Sequence, residues 1–332
     1  MKMDNDRETI IELKRIVKIY RTKSSFFGVH SKEVIALNAI SIKIMRGEIF
    51  GLVGESGSGK TTAGRLIVRL EKPEQGEIYL NGRDMAGLKG KALKDFPRKV
   101  QMIFQDPYQS LNPQLSVFDT ISEPLVIHKI GNAEDREDAV WLTMKSVGLS
   151  PPDDFVNRYP HQLSGGQRQR VAIARVMVLN PDFVVADEPT SMLDASISAQ
   201  IFNILIEMRE KLQVTLLFIT HSLSAARYLC DRIAVIYKGN MMELGSADQV
   251  IQKPKHPYTK ALIDALPKFG LSGEVNHYNT LLPVEREASE HEGCPFFARC
   301  RVANKTKCSL ERPLLKETNN SHWVTCFYAE NG

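Results

Sequence analysis

Residues 54–61 read Gly-Glu-Ser-Gly-Ser-Gly-Lys-Thr, directly after the apolar run IFGLV and just before TAGRLIVRL, where Leu66, Ile67 and Leu70 share one helical face. The octapeptide matches G-x-x-x-x-G-K-S/T in the strand–loop–helix setting that gives the pattern its meaning. Glycines let successive backbone N–H groups turn inward toward phosphate oxygens, and the helix N-terminus adds partial positive charge. On this reading Gly54, Glu55, Ser56, Gly57, Ser58, Gly59, Lys60, Thr61 and Thr62 form a nucleotide cradle. Lys60 neutralises the β and γ phosphates, and the Thr61 hydroxyl ligates magnesium.

Three further apolar runs, FVVA, LLFI and IAVIY, alternate with stretches of helical period. In the first of those stretches Ile197, Ile201, Ile204, Leu205, Met208 and Leu212 fall on one stripe. Continuous apolar strands between amphipathic helices predict an α/β fold with a parallel sheet buried on both faces. Upstream, IIELKRIVKIY and VIALNAISIKIMRGEIFGLVG read as strands joined by an exposed loop, with GEIYLNG and KVQMIFQDP as two more. Residues 110–168 have helix-like spacing broken by Pro113, Pro124, Pro151, Pro152 and Pro160, which predicts a mostly helical insert. FVVADE supplies the carboxylates that a phosphate loop needs: Asp187 at a strand end to hold magnesium through water, and Glu188 to polarise an attacking water.

The 332 residues exceed one ordinary core, so one large domain with an attachment is expected. A 43% hydrophobic and 25% charged composition excludes a disordered, collagenous or low-complexity chain. Lys and Arg number 43 against 39 Asp and Glu, and a net charge of +4 gives no support to nucleic-acid binding. No apolar run approaches the roughly 18 to 20 residues needed to cross a bilayer, and the opening MKMDNDRETI is polar. A cytoplasmic chain is expected, with any membrane role reached through a partner.

Between the two phosphate-site strands lies Leu163-Ser-Gly-Gly-Gln167, followed by RQRVAIARVMVLNPD. Here the chain resembles the nucleotide-binding subunits of the ATP-binding cassette (ABC) family. The resemblance rests on five motifs in the family's order: the P-loop, Gln105 after a strand, LSGGQ, FVVADEP, and His221 after LLFIT. It implies a P-loop NTPase of ABC type with a parallel core sheet, an antiparallel β-subdomain and a helical subdomain. It also implies that two subunits pair head to tail, so that Ser164, Gly165, Gly166 and Gln167 of one chain close on the γ-phosphate held by the other. Gln105 would ligate magnesium and sense the membrane partner, and His221 would hold the γ-phosphate and the attacking water. Tyr20 resembles the aromatic that stacks on adenine, with an ordinary surface or core tyrosine as its rival. Asp194, in SMLD where the family usually has SALD, resembles the residue that links the two ATP sites and would equally serve as a helix N-cap. Met192 is the departure.

FQDPYQSLNPQLSVFDTISEPL and the tail, HPYTKALIDALP with GCPFFARCRVANKTKCSLERPLLKE and HWVTCFYAE, resemble the oligopeptide and dipeptide importer ATPases. The implied organisation is a cassette at 1–250, a helix and linker at 251–292, and a small Cys-rich extension at 293–332. The implied function is an ATP-hydrolysing subunit of a binding-protein-dependent importer, peripheral at the cytoplasmic face of the cell membrane. Di- or oligopeptides are the expected solute, with nickel or oligosaccharides as alternatives. The implied partners are a second homologous ATPase in a heterodimer, two membrane permease subunits and a solute-binding protein. The class rival, a soluble ABC ATPase of DNA repair or translation, lacks support: about a hundred residues separate P-loop from LSGGQ, and the chain has one P-loop. A metal-sensing regulator would not require Glu188 and His221 together.

Cys294, Cys300, Cys308 and Cys326 are spaced unlike paired C-x2-C zinc knuckles. They leave three readings: a four-iron four-sulfur cluster, with which members resembling this one are associated, zinc with His322 or His291 helping, or packing as small apolar groups. The tail carries few large apolar residues besides Phe296, Phe297, Leu314, Leu315 and Trp323, so metal ligation is expected to supply the free energy that orders it. Its role is then structural, with the nucleotide residues complete without it. Cys230, alone, reads as a core residue in a helix.

Overall fold

A computed structural model describes residues 8–22, 32–265, 293–319 and 321–329. Of the helix and linker expected at 251–292, residues 266–292, with His291, lie outside the described residues. Two strands rich in β-branched residues, β1 (Thr9–Thr22) and β2 (Lys32–Met45), pair antiparallel with Leu13 opposite Ile42. After β3 (Ile49–Val53) and the helix Lys60–Ile67 comes β4 (Gln75–Leu80), which pairs with the other edge of β1, followed by the short β5 (Arg83–Asp84). The first sheet therefore runs β2-β1-β4-β5.

The second sheet carries the site. It comprises β3, β6 (Val100–Ile103), β7 (Phe183–Asp187), β8 (Thr215–Thr220), β9 (Arg232–Tyr237), β10 (Asn240–Ser246), β11 (Lys316–Asn319) and β12 (His322–Val324). Its order is β11-β12-β10-β9-β3-β8-β7-β6, parallel from β9 to β6 and antiparallel beyond. Alternate residues of the parallel strands enter two different cores. Val53, Val184, Phe218 and Val235 face one, with the helices Gly165–Met177 and Ala195–Leu212. Leu52, Val185, Leu217 and Ile236 face the other, with the P-loop helix and the first sheet. Burial on both faces explains why these strands read as unbroken apolar runs.

The insert holds the helices Val117–Ile127 and Ala133–Ser146, each opened by a capping box, from Ser116 and Asn132. Pro124 sits inside the first of these and does not end it. The Ser116 cap and the buried Val117, Ile121 and Leu125 hold that helix against the missing N–H. Leu212 ends the helix Ala195–Leu212 and is exposed, while Ile201, Ile204, Leu205 and Met208 are buried as the stripe predicts. Cys230 is buried, at the C-cap of the helix Leu223–Leu229.

The tail is joined to the main sheet by strand pairing and a buried polar cluster. Strand β12 extends the main sheet, with Glu243 opposite Val324 and Leu244 opposite Trp323. The fully buried Glu243 carboxylate accepts the backbone N–H groups of Lys255 (2.8 Å) and His256 (3.0 Å), and its Oε1 lies 2.6 Å from His322 Nε2. Phe296 is buried against Tyr237 and Tyr258, whereas Leu314 is exposed. No helix among the described residues is long and apolar enough to cross a membrane.

Candidate nucleotide site

Four adjacent strands end side by side, and each carries a predicted residue at its C-terminal end: β3 the P-loop, β8 His221, β7 Asp187 and Glu188, β6 Gln105. Open parallel sheets bind ligands at this edge. The loop leaves β3 so close to β9 that a Cβ on Gly54 would lie 2.2 Å from the Ile236 carbonyl oxygen. Gly59, the N-cap of the P-loop helix, has φ +99° and faces the Ala36 carbonyl at the same 2.2 Å, so only glycine fits there.

Lys60 is buried and its Nζ donates to the carbonyls of Gly54 and Glu55, both at 2.8 Å. Burial lowers its pKa, while the carboxylates of Glu188, Asp187 and Glu55 oppose that shift. The Thr61 hydroxyl donates to Asp187 Oδ1 at 3.0 Å. Burial raises the Asp187 carboxyl pKa, against the Thr61 hydrogen bond and the Lys60 charge. The next residue turns sharply: Glu188 has φ +43°, a left-handed backbone costing about 1–2 kcal/mol for a side chain of this type. That turn places its Oε2 3.2 Å from Gln105 Nε2, which donates to it, and 3.1 Å from His221 Nδ1. Thr61 with Asp187 and Glu188 with Gln105 and His221 thus form two contact sets, which the peptide link from Asp187 to Glu188 brings together at the strand ends.

Ser56 is exposed and Ser58 buried. Tyr20 on β1 is partly exposed beside the P-loop helix, its hydroxyl donating to Glu71 Oε2 at 2.6 Å and lying 3.4 Å from Thr62 Oγ1. Ser164 caps the helix Gly165–Met177, its Oγ accepting the Gln167 N–H and its N–H donating to Gln167 Oε1 at 2.9 Å. A Cβ on Gly166 would lie 2.6 Å from Ile197 Cγ2. Among the described residues, no hydrogen bond or ion pair joins Ser164, Gly165, Gly166 or Gln167 to the P-loop of the same chain. Asp194 caps the helix Ala195–Leu212 by accepting the Ile197 N–H at 2.9 Å, which with the Ser196 hydroxyl holds its pKa below the usual carboxylate value. Met192 is exposed.

Two residues that the sequence reading left out touch the loop. The Tyr258 hydroxyl oxygen accepts the Glu55 N–H at 3.0 Å, and Arg299 forks onto the Glu55 carboxylate at 2.8 and 2.9 Å. Nothing local in HPYTKALIDALP or FARCR signals either contact.

Cys294, Cys300, Cys308 and Cys326 border one cavity together with His256, Phe296 and Phe327. Burial pushes the Cys294 thiol up to about 11 and raises Cys300 and Cys326. His322 is turned to Glu243 and does not line this cavity. Among the described residues, no group of three or more His, Cys, Asp or Glu side chains is placed to hold a single metal ion.

Residues 37–191 match the family model described as ABC transporter, and residues 242–308 match that described as Oligopeptide/dipeptide transporter, C-terminal region. The chain is 42% identical over 324 residues to the oligopeptide transport ATP-binding protein AppF of Bacillus subtilis, covering 97% of this chain and 98% of that protein. It is 38% identical over 315 residues to the dipeptide transport ATP-binding protein DppF of Haemophilus influenzae, covering 94% of each. Its fold is similar to a dimeric post-hydrolysis structure of the ATP-binding cassette MJ0796 bound to ADP and Pi, with a TM-score of 0.64 and 31% identity over 72% of this chain and 99% of that one. With full-length identity at this level and both family regions in order, the chain belongs to the ABC transporter family as one of its ATP-binding proteins.

Proposed function

We propose that this protein is the ATP-hydrolysing subunit of a binding-protein-dependent importer of di- or oligopeptides, working at the cytoplasmic face of the cell membrane. The observation that carries the reading is the meeting of Glu188 with Gln105 and His221 at the ends of β6, β7 and β8, the strands that follow the P-loop strand β3 across the sheet, in a chain that also carries the oligopeptide/dipeptide transporter C-terminal region.

The P-loop N–H groups and Lys60 hold the β and γ phosphates, with the Tyr20 ring against adenine. The Thr61 hydroxyl, Asp187 and the Gln105 amide oxygen form a hard-oxygen donor set of the kind magnesium takes, and they are the residues that would hold it. When bound, magnesium neutralises charge on the phosphate oxygens. Glu188 accepts a hydrogen bond from the attacking water and polarises it toward the γ-phosphorus, while His221 fixes the γ-phosphate and the water. The ATP–water reaction yields ADP and phosphate.

The signature residues act in trans. Ser164 to Gln167 stand at a helix N-terminus unconnected to their own P-loop and face the γ-phosphate of a second, homologous ATPase, with Asp194 linking the two sites. The membrane subunits dock beside Gln105, where Leu70, Phe104 and Ile127 expose apolar surface around one groove. In the tail, the four thiols that border one cavity would be the ligands of a four-iron four-sulfur cluster, one thiolate to each iron. The cluster would be a structural staple of the extension.

Proteoliposomes carrying the chain with its membrane subunits test the function. Peptide-loaded binding protein should stimulate ATP hydrolysis. Stimulation by a nickel- or sugar-loaded binding protein with none by peptide would overturn the peptide reading.

A further inference from the structure

Glu55 sets an electrostatic problem in the P-loop. A carboxylate one residue into a loop that holds polyphosphate repels its ligand unless it is neutralised and turned aside. The groups that do both come from beyond the cassette. Arg299 donates from two nitrogens to the two carboxylate oxygens, at 2.8 and 2.9 Å, the bidentate geometry that fixes position as well as charge. Tyr258, fully buried, accepts the Glu55 N–H at 3.0 Å and so fixes the backbone of the same residue.

Both groups rest on one aromatic cluster. The Arg299 guanidinium lies 5.5 Å from the Tyr237 ring centre and 5.7 Å from that of Phe296, and Phe296 packs on Tyr237 and Tyr258 at 5.4 and 5.3 Å. Phe296 also lines the cysteine cavity, and Arg299 is followed by Cys300. Order in residues 293–300 therefore reaches the P-loop directly through Arg299 and, by way of Phe296, through Tyr258.

We propose that Arg299 and Tyr258 are positioning residues for nucleotide binding, holding Glu55 so that the affinity of the P-loop for ATP depends on a folded C-terminal segment. The coupling is reciprocal: ATP in the P-loop stabilises the segment by the same factor that the segment improves ATP binding. The inference rests on the ATP-binding reading of the P-loop.

The test is the dissociation constant of a fluorescent ATP analogue on the full-length chain, with thermal unfolding measured alongside. Arg299→Met should weaken binding about tenfold, the scale of coupling between contacting charged groups. Glu55→Gln added to Arg299→Met should recover most of that loss, because the unpaired carboxylate is gone. Arg299→Lys, which keeps the charge without the fork, should fall between. A wild-type affinity in Arg299→Met, or a loss that Glu55→Gln does not relieve, overturns the proposal, whereas a wild-type chain that binds no analogue overturns the ATP reading beneath it. Should Arg299→Met fail to fold, amide exchange decides the matter on the wild-type chain: saturating ATP should slow exchange across residues 293–319, and unchanged exchange there counts against the coupling.

Discussion

His221 Nδ1 lies 3.1 Å from Glu188 Oε2, across the gap between the ends of β8 and β7. The contact exists because the backbone of Glu188 turns left-handed at the end of β7 while Asp187, still on the strand, points at Thr61. Adjacent carboxylates in the sequence thereby reach different partners. Backbone strain at such a position persists where surrounding structure enforces it, here a Glu188 N–H to Ile219 carbonyl bond of 2.9 Å.

Ser164→Arg should abolish hydrolysis at the ATP site whose P-loop belongs to the partner ATPase, while this chain's own P-loop still binds nucleotide. Loss of the capping box adds about 1 kcal/mol of helix destabilisation. Photo-crosslinking of labelled ATP in the assembled complex checks this. Labelling lost only at the Lys60 loop of the variant chain would contradict the head-to-tail arrangement.

Anaerobically purified protein should be brown and contain about four iron and four sulfide per chain, the content of one cluster. Cys308→Ser should remove the colour and increase proteolysis of the tail. Colourless protein holding one zinc, or holding no metal with the tail ordered, would refute the cluster.

Acid should loosen the same segment. His256 Nδ1 accepts the Tyr258 N–H at 3.0 Å and caps the helix Pro257–Asp264. Burial lowers the imidazole pKa from 6.5 to about 4, although Glu243 and a hydrogen bond with the Thr325 backbone oppose it. Between those values the unfolded chain binds a proton that the folded chain does not, so the stability tied to this group is complete above pH 6.5 and falls as pH drops toward 4. The thermal midpoint of wild type should fall over that window, and His256→Asn, which keeps a cap acceptor without titrating, should flatten the slope.

The residues that meet at the strand ends were legible in the sequence because the signals for their placement are local. Asp187 follows the apolar run FVVA and His221 stands just past LLFI, while Gly54 to Thr61 encode their own turn chemistry. What was illegible depends on partners far apart in the chain. Glu243 interrupts β10 with a charge, and only the backbone N–H groups of Lys255 and His256 and the ring of His322 make its burial tolerable. Arg299 and Glu55 are separated by 244 positions, with no periodicity to connect them. The pairing of β12 with β10 belongs to the same class of contact between distant segments. So does the fork of Arg299 on Glu55.

The central claim is that Glu188 activates water on a nucleotide held by other residues. Binding and hydrolysis of ATP by Glu188→Gln in the assembled complex test it most directly, with Lys60→Ala as the contrasting variant. Glu188→Gln should bind ATP with near wild-type affinity while hydrolysis falls on the order of a hundred- to ten-thousand-fold. Lys60→Ala should lose affinity itself. A Glu188→Gln complex that turns over ATP at close to the wild-type rate would contradict the account.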